Sequence, residues 1–205
     1  SYKPELSARA FRWTAIAEQL ACLGHSVEVI CASSAGQSVD ECVNEVEIHR
    51  TGSNVREAVK RWFRLEATVN PGRTGEKIGS AVSTRSRIGT LLKSAYSHTV
   101  GKILWPDFAA FWYRPALKTA HQVIKKRRPD VVVTVSLPYT GHMVGSALKR
   151  RYAIPWIVDI GDPFSFMTET PVNNTRLFRS INSRSESLVL QMADAIAVTT
   201  QGTKL

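Results

Sequence analysis

The chain of 205 residues predicts an α/β fold built on a doubly wound, mostly parallel sheet, and three observations carry that reading. Asp130-Val131-Val132-Val133-Thr134-Val135 and Pro155-Trp156-Ile157-Val158 are short apolar runs that read as strands buried on both faces. Segments with apolar residues at helical spacing alternate with them, and the linkers between are short, the pattern of βαβ units. With 43% hydrophobic and 21% charged residues, the chain can bury one sizeable core, so a single domain over 1–205 is expected.

In chain order, Ser7 is placed to cap a helix over about 8–23, with Trp13, Ile16, Ala17 and Leu20 at helical spacing and Gly24 at its stop. Ser26 to Cys31 is β-rich, and a short edge strand is expected at Val46 to His49. From about 54 to 105 the pattern reads as a basic helical insertion, interrupted by Pro71-Gly72-Arg73-Thr74-Gly75. Asp107 is placed to start a long helix to about Lys126, with Pro115 kinking it. The strand at 130–135 follows, then a helix over 141–151, the strand at 155–158, a helix marked by Phe178, Ile181, Leu188 and Met192, and a short strand at 195–198.

In such a sheet, ligands collect outside the carboxyl ends of the strands, which puts the loops 136–140, 159–163 and 199–203 on one rim. The opening residues 1–7 join them if a strand precedes Ser1. The chain has no starting Met, and a doubly wound sheet lacking its first strand exposes an interior edge, so that strand is expected upstream.

The formal charge of +10 points to phosphate-bearing or anionic-membrane partners. Arg50 to Arg128 holds 17 Lys/Arg against 4 Asp/Glu, so the middle third is the basic surface. Nucleic acid is disfavoured because no zinc-finger spacing or RNA-recognition pattern occurs. Cys22, Cys31 and Cys42 are an odd set suited to a reducing, cytoplasmic setting, and no Cys/His spacing matches a zinc site, so no metal is expected. The apolar stretches fall well short of the roughly 20 residues that span a bilayer.

Four segments resemble successive parts of the first domain of family 4 glycosyltransferases, in the same order. They are Ser7-Ala8-Arg9-Ala10-Phe11-Arg12-Trp13 with Gly24-His25-Ser26-Val27; Arg128-Pro129-Asp130-Val131-Val132 with Ser136-Leu137-Pro138; Ile154 through Pro163; and Ala193-Asp194-Ala195-Ile196. The resemblance implies the acceptor-side, Rossmann-like N-terminal domain of a two-domain GT-B enzyme. Such an enzyme is a retaining hexosyltransferase that uses a nucleotide-sugar donor, bound largely by a second, C-terminal domain that this chain does not include. The fragment alone is then expected to be inactive and to hold no cofactor. The acceptor is a saccharide or polyprenyl-linked sugar in bacterial polysaccharide biosynthesis, with the enzyme cytoplasmic or peripheral on the inner face of the membrane. The chain departs from the family in lacking glycines before the first helix and in carrying Ser136 where a histidine is frequent.

Asp159 and Asp162 leave a buried strand at the rim, where a carboxylate is suited to orient or deprotonate an acceptor hydroxyl; a turn-shaping role for Gly-Asp and Asp-Pro is the competing reading. Arg9 and Arg12 lie in the first turns of a helix, a site for a diphosphate, or are solvated arginines. Ser136, Tyr139 and His142 complete the expected acceptor or phosphate contacts, although a His in the first turn of a helix is more often a polar cap or surface residue, and no catalytic role is carried to His142. Arg85, Arg87, Lys93, Lys102 and Trp105 are the expected membrane-facing set. The alternative function is a non-enzymatic Rossmann-like module that binds a nucleotide or nucleic acid through its basic face.

Overall fold

The computed structural model describes residues 2–3, 7–33, 40–52, 104–166 and 176–199. Four helices and six strands are described: α1 (Ala8–Cys22), β1 (Val27–Ala32), β2 (Asp40–Val43), β3 (Val46–Thr51), α2 (Tyr113–Lys126), β4 (Val132–Val135), α3 (Thr140–Tyr152), β5 (Trp156–Ile160), α4 (Arg179–Met192) and β6 (Ala195–Val198). A single 3₁₀ turn, Ala110–Trp112, leads into α2. The strands form two three-stranded sheets, ordered β1-β3-β2 and β4-β5-β6. All pairings are parallel except β2 with β3. The mixed α/β, Rossmann-like architecture expected from the sequence is therefore present, while the insertion expected over about 54–105 lies outside the described residues except for Leu104 and Trp105.

Ser7 caps α1 by accepting from the Ala10 amide at 3.2 Å. The helix ends on Gly24, whose φ of +88° suits a residue without Cβ, with its amide bonded to Ala21 O at 2.8 Å. The buried stripe of α1 is Ala10, Ala17 and Ala21, while Ile16 and Leu20 are exposed rather than core as their spacing suggests. Small side chains let the helix lie close on Val46 and Ile48 of β3 and Cys31 of β1.

β3 is the centre of its sheet and not the edge expected. Its outer neighbour β2 escapes a sequence reading because Asp40-Glu41-Cys42-Val43 has little β propensity. Register is set by the turn Asn44-Glu45, with φ of 52° and 64°, the doubly left-handed geometry of a tight hairpin.

The long helix expected from Asp107 begins instead at Tyr113, and Asp107 is a buried carboxylate that accepts from the Ala109 and Thr140 amides and the Thr140 hydroxyl. Pro115 occupies the third position of α2, where an amide has no intrahelical acceptor, so it costs no hydrogen bond where a kink was expected. Ala116, Ala120 and Ile124 of α2 pack with Ile30 of β1, Val132 of β4 and Leu148 of α3, so one helix spans both sheets. The inner edge strands β1 and β4 have no further strand partner among the described residues.

β4 is not buried on both faces: Val131 is 43% and Val133 39% exposed, because α3 and α4 cover only the opposite face. In α4 the expected face is only partly the inner one: Met192 packs against the core around Trp156 and Val158. Ile181 and Leu188 are exposed, whereas Asn182, Glu186 and Val189 are buried. Asn182 accepts from the Trp105 indole at 3.0 Å, and Glu186 accepts from the Phe164 and Ser165 amides at 2.7 and 3.0 Å, which explains why polar residues face inward.

Candidate functional site

The first turns of α1 meet the exit of β5. Arg12 pairs with Asp159, and the Trp13 indole N–H donates to the same carboxylate oxygen, Oδ2, at 2.9 Å. Asp159 is buried, and its Oδ1 accepts no hydrogen bond among the described residues. Arg9 lies 3.4 Å from Asp162, a looser pair with the carboxylate nearly half exposed. The two arginines and two aspartates singled out from sequence thus come together as one cluster, joined by Trp13, which spacing alone assigned to the core.

The expected rim also forms. The Gly161 amide donates to Ser136 Oγ at 3.1 Å, Thr199 donates to the Gly161 carbonyl at 3.0 Å, and the Ser136 amide donates to the Asp159 carbonyl at 3.0 Å. The ends of β4, β5 and β6 are therefore tied at one place, as the carboxyl edge of a parallel sheet requires.

Tyr139 and His142 lie beneath this rim, and Ser136, which helps to tie it, is buried with them, each at most 3% exposed. Tyr139 stacks on Phe164 with centroids 3.7 Å apart, and its hydroxyl lies 3.2 Å from Ser185 Oγ. Burial pushes its phenol well above the usual range. Thr134 Oγ1 accepts from the Trp156 indole at 2.8 Å and lies 2.8 Å from His142 Nδ1. Burial drives the His142 pKa down to about 3, so the ring is neutral near neutral pH and offers no charge to a phosphate. The cavity beneath the rim, between Ser136, His142, Asp162 and Glu186, is about 10 Å³, room for roughly one water. That cavity is too small for a sugar ring.

Arg85, Arg87, Lys93 and Lys102 lie outside the described residues. Trp105 is half-buried and directs its indole N–H to Asn182. Trp13 and Glu186 are site-building residues that sequence reasoning missed, because their partners lie 146 and 22 residues away. A second polar group stands on the first sheet, where Glu28, Glu47 and His49 bring ligand-type atoms within 4.8 Å of one another. Both His49 nitrogens are engaged there, Nδ1 by Asp40 at 2.7 Å and Nε2 by Glu28 at 3.0 Å.

A sequence model of the glycosyl transferase 4-like domain matches residues 10–204, nearly the whole chain. No curated protein matches it.

Proposed function

Since the chain belongs to the glycosyl transferase 4-like domain family, we propose that it is the acceptor-side half of a retaining hexosyltransferase that moves a sugar from a nucleotide-sugar donor to a saccharide or polyprenyl-linked acceptor in bacterial cell-surface polysaccharide assembly. The donor belongs to a second domain, closing over the rim where the ends of β4, β5 and β6 meet.

The observation that carries the reading is the fixed carboxylate of Asp159. One oxygen is held by Arg12 and Trp13, which leaves Oδ1 to accept the acceptor hydroxyl and orient it toward the donor carbon. Arg9, loosely paired with Asp162, is better placed than Arg12 to turn toward a departing diphosphate, because Arg12 would have to abandon a buried partner. Ser136, Tyr139 and His142 set the shape of the loop below.

The test uses the intact protein with a panel of nucleotide sugars and a membrane extract as acceptor, following release of nucleoside diphosphate. Changing Asp159 and Asp162 together to Asn should lower kcat/KM at least about a hundredfold, the usual scale for a lost proton-transfer or orienting group. Full activity in that variant would sink the role given to the pair.

A further inference from the structure

Parallel pairing sets Glu28 of β1 beside Glu47 of β3 and Ile30 beside His49, while antiparallel pairing sets Asp40 of β2 beside His49 and Cys42 beside Glu47. Because side chains alternate along a strand, Glu28, Glu47, His49, Asp40 and Cys42 all rise from one face of the first sheet. The other face carries Val46, Ile48 and Cys31 and is filled by α1, so that core needs none of these polar groups. Three strands thus gather one imidazole, three carboxylates and an exposed thiol.

Two observations separate this group from an ordinary surface ion pair. His49 Nδ1 lies 2.7 Å from Asp40 Oδ1, and Nε2 lies 3.0 Å from Glu28 Oε2. A neutral imidazole has a single N–H, and when the closer carboxylate takes it, the Nε2 lone pair is left facing a carboxylate oxygen. That contact is repulsive unless a proton or a metal ion lies in it. The second observation is Glu47, which is exposed and pairs with no cation among the described residues, yet has its ligand atom within 4.8 Å of those of Glu28 and His49. A proton on His49 answers only part of the charge of three carboxylates. With the His49 and Glu28 side chains 17% and 20% exposed, water screens the remainder poorly.

An imidazole nitrogen with two carboxylate oxygens is a donor set suited to zinc, whereas calcium and magnesium take oxygens almost throughout. Zinc bonds of about 2.0–2.2 Å at a tetrahedral centre put neighbouring donors about 3.3 Å apart, so Nε2 and Glu28 Oε2 need open by only a few tenths of an ångström. Asp40 then plays the outer carboxylate that holds Nδ1–H and fixes the tautomer of a metal-bound histidine.

We infer that Glu28, Glu47 and His49 form a zinc site that joins β1 to β3, the ion taking the place of a proton on His49 Nε2. Cys42 stands across the ladder from Glu47 but is not among the atoms that converge. In the metal-free chain the ring keeps its proton: burial disfavours the charge, but Asp40 and Glu28 outweigh it and the pKa is raised. Cys/His spacing gives no sign of such a site, because strand register and not sequence distance brings Glu28 to His49. The site depends on the sheet alone and its test reads no sugar transfer, so it stands or falls apart from the transferase reading.

The experiment is calorimetric titration of zinc chloride into the full chain, free of any tag and stripped with chelator, in a Cys22→Ser background that removes an exposed thiol outside the site. One zinc per chain is expected to bind and to raise the thermal midpoint. His49→Gln should abolish both effects, and Asp40→Asn should weaken binding by about ten- to a hundredfold. Glu47→Gln should weaken it at least about tenfold, and because Glu47 has no described partner to lose, this variant keeps the fold, as far-UV circular dichroism will check. Absence of binding by the starting chain, or an affinity unchanged in either His49→Gln or Glu47→Gln, overturns the site. So does equal affinity for magnesium, which would make the face a diffuse acidic surface, and so does binding abolished by Cys42→Ser, which would make the ligand a surface thiol.

Discussion

In the sheet β1-β3-β2, charged side chains meet across strands, whereas in β4-β5-β6 the buried polar groups are mostly answered by neutral partners. His49 lies between Asp40 of β2 and Glu28 of β1, and Arg50, 4% exposed, pairs with Glu41 while also donating to the Lys3 carbonyl. In the other half, Trp156, Thr134 and His142 form a short uncharged series, and Glu186 is satisfied by two amides. The first sheet has β2, whose alternate side chains reach water, at its edge, so ions there are only partly desolvated. The strand β5 at the centre of the second has Trp156 and Val158 fully buried, and an ion beside them would be costly without a partner. Asp159 is the exception in that half, and its partners come from α1.

The sharpest way to break this contrast is steric. A Cβ on Gly145 would fall against the buried Trp156 indole and 2.7 Å from Thr134 Cγ2, so Gly145→Ala should destabilise the chain by about 3 kcal/mol in urea unfolding. Gly24→Ala has nothing within 4 Å and meets only the strain of φ +88°, for a loss of about 1 kcal/mol. Next comes the ionic half. Arg50→Met leaves Glu41 without its partner, and since that side chain is 30% exposed and can rehydrate, the expected loss is about 2 kcal/mol, below the range for a fully buried pair.

A pH effect separates the halves by sign. His142 is depressed to about 3 against an ordinary value near 6.5, so the unfolded chain takes up a proton that the folded chain refuses as pH falls between those values. Its contribution to stability should drop by about 1.4 kcal/mol on going from neutral pH to about pH 5.5 and should vanish as a pH effect in His142→Gln. For His49, burial favours the neutral ring but Asp40 and Glu28 outweigh it, and the pKa is raised. That contribution is complete below the unfolded value and is lost as pH rises through the folded one. Thermal melts from about pH 5 to about pH 8 for His142→Gln and His49→Gln should therefore show opposite departures from the unaltered chain, the first below the ordinary histidine value and the second above it.

Much of the fold was readable because short β-branched runs mark strands, as in Val131-Val132-Val133 and Ile157-Val158, although such a run does not tell that one face of β4 is left bare. β2 was not readable because its pairing is dictated by the Asn44-Glu45 turn and not by its own composition. The inward face of α4 was misjudged for a related reason: Asn182 and Glu186 are buried to answer donors on Trp105, Phe164 and Ser165, and periodicity carries no trace of a distant donor. At the candidate site, the rule that loops at strand carboxyl ends converge located Ser136, Asp159 and Asp162. The partnership of Trp13 with Asp159 was out of reach, since an indole at helical spacing looks the same whether it fills a core or donates to a carboxylate.

The contact between α1 and β5 also bears on how the molecule assembles. Arg12 and Asp159 are 147 residues apart, and Arg9 and Asp162 are 153 apart, so the clasp closes one of the longest loops the chain can make. During synthesis α1 emerges long before the strand it will grip, and contacts of such span are favoured late, after the intervening sheets have shortened the effective loop. The rim that would receive an acceptor is then among the last parts of this domain to take shape.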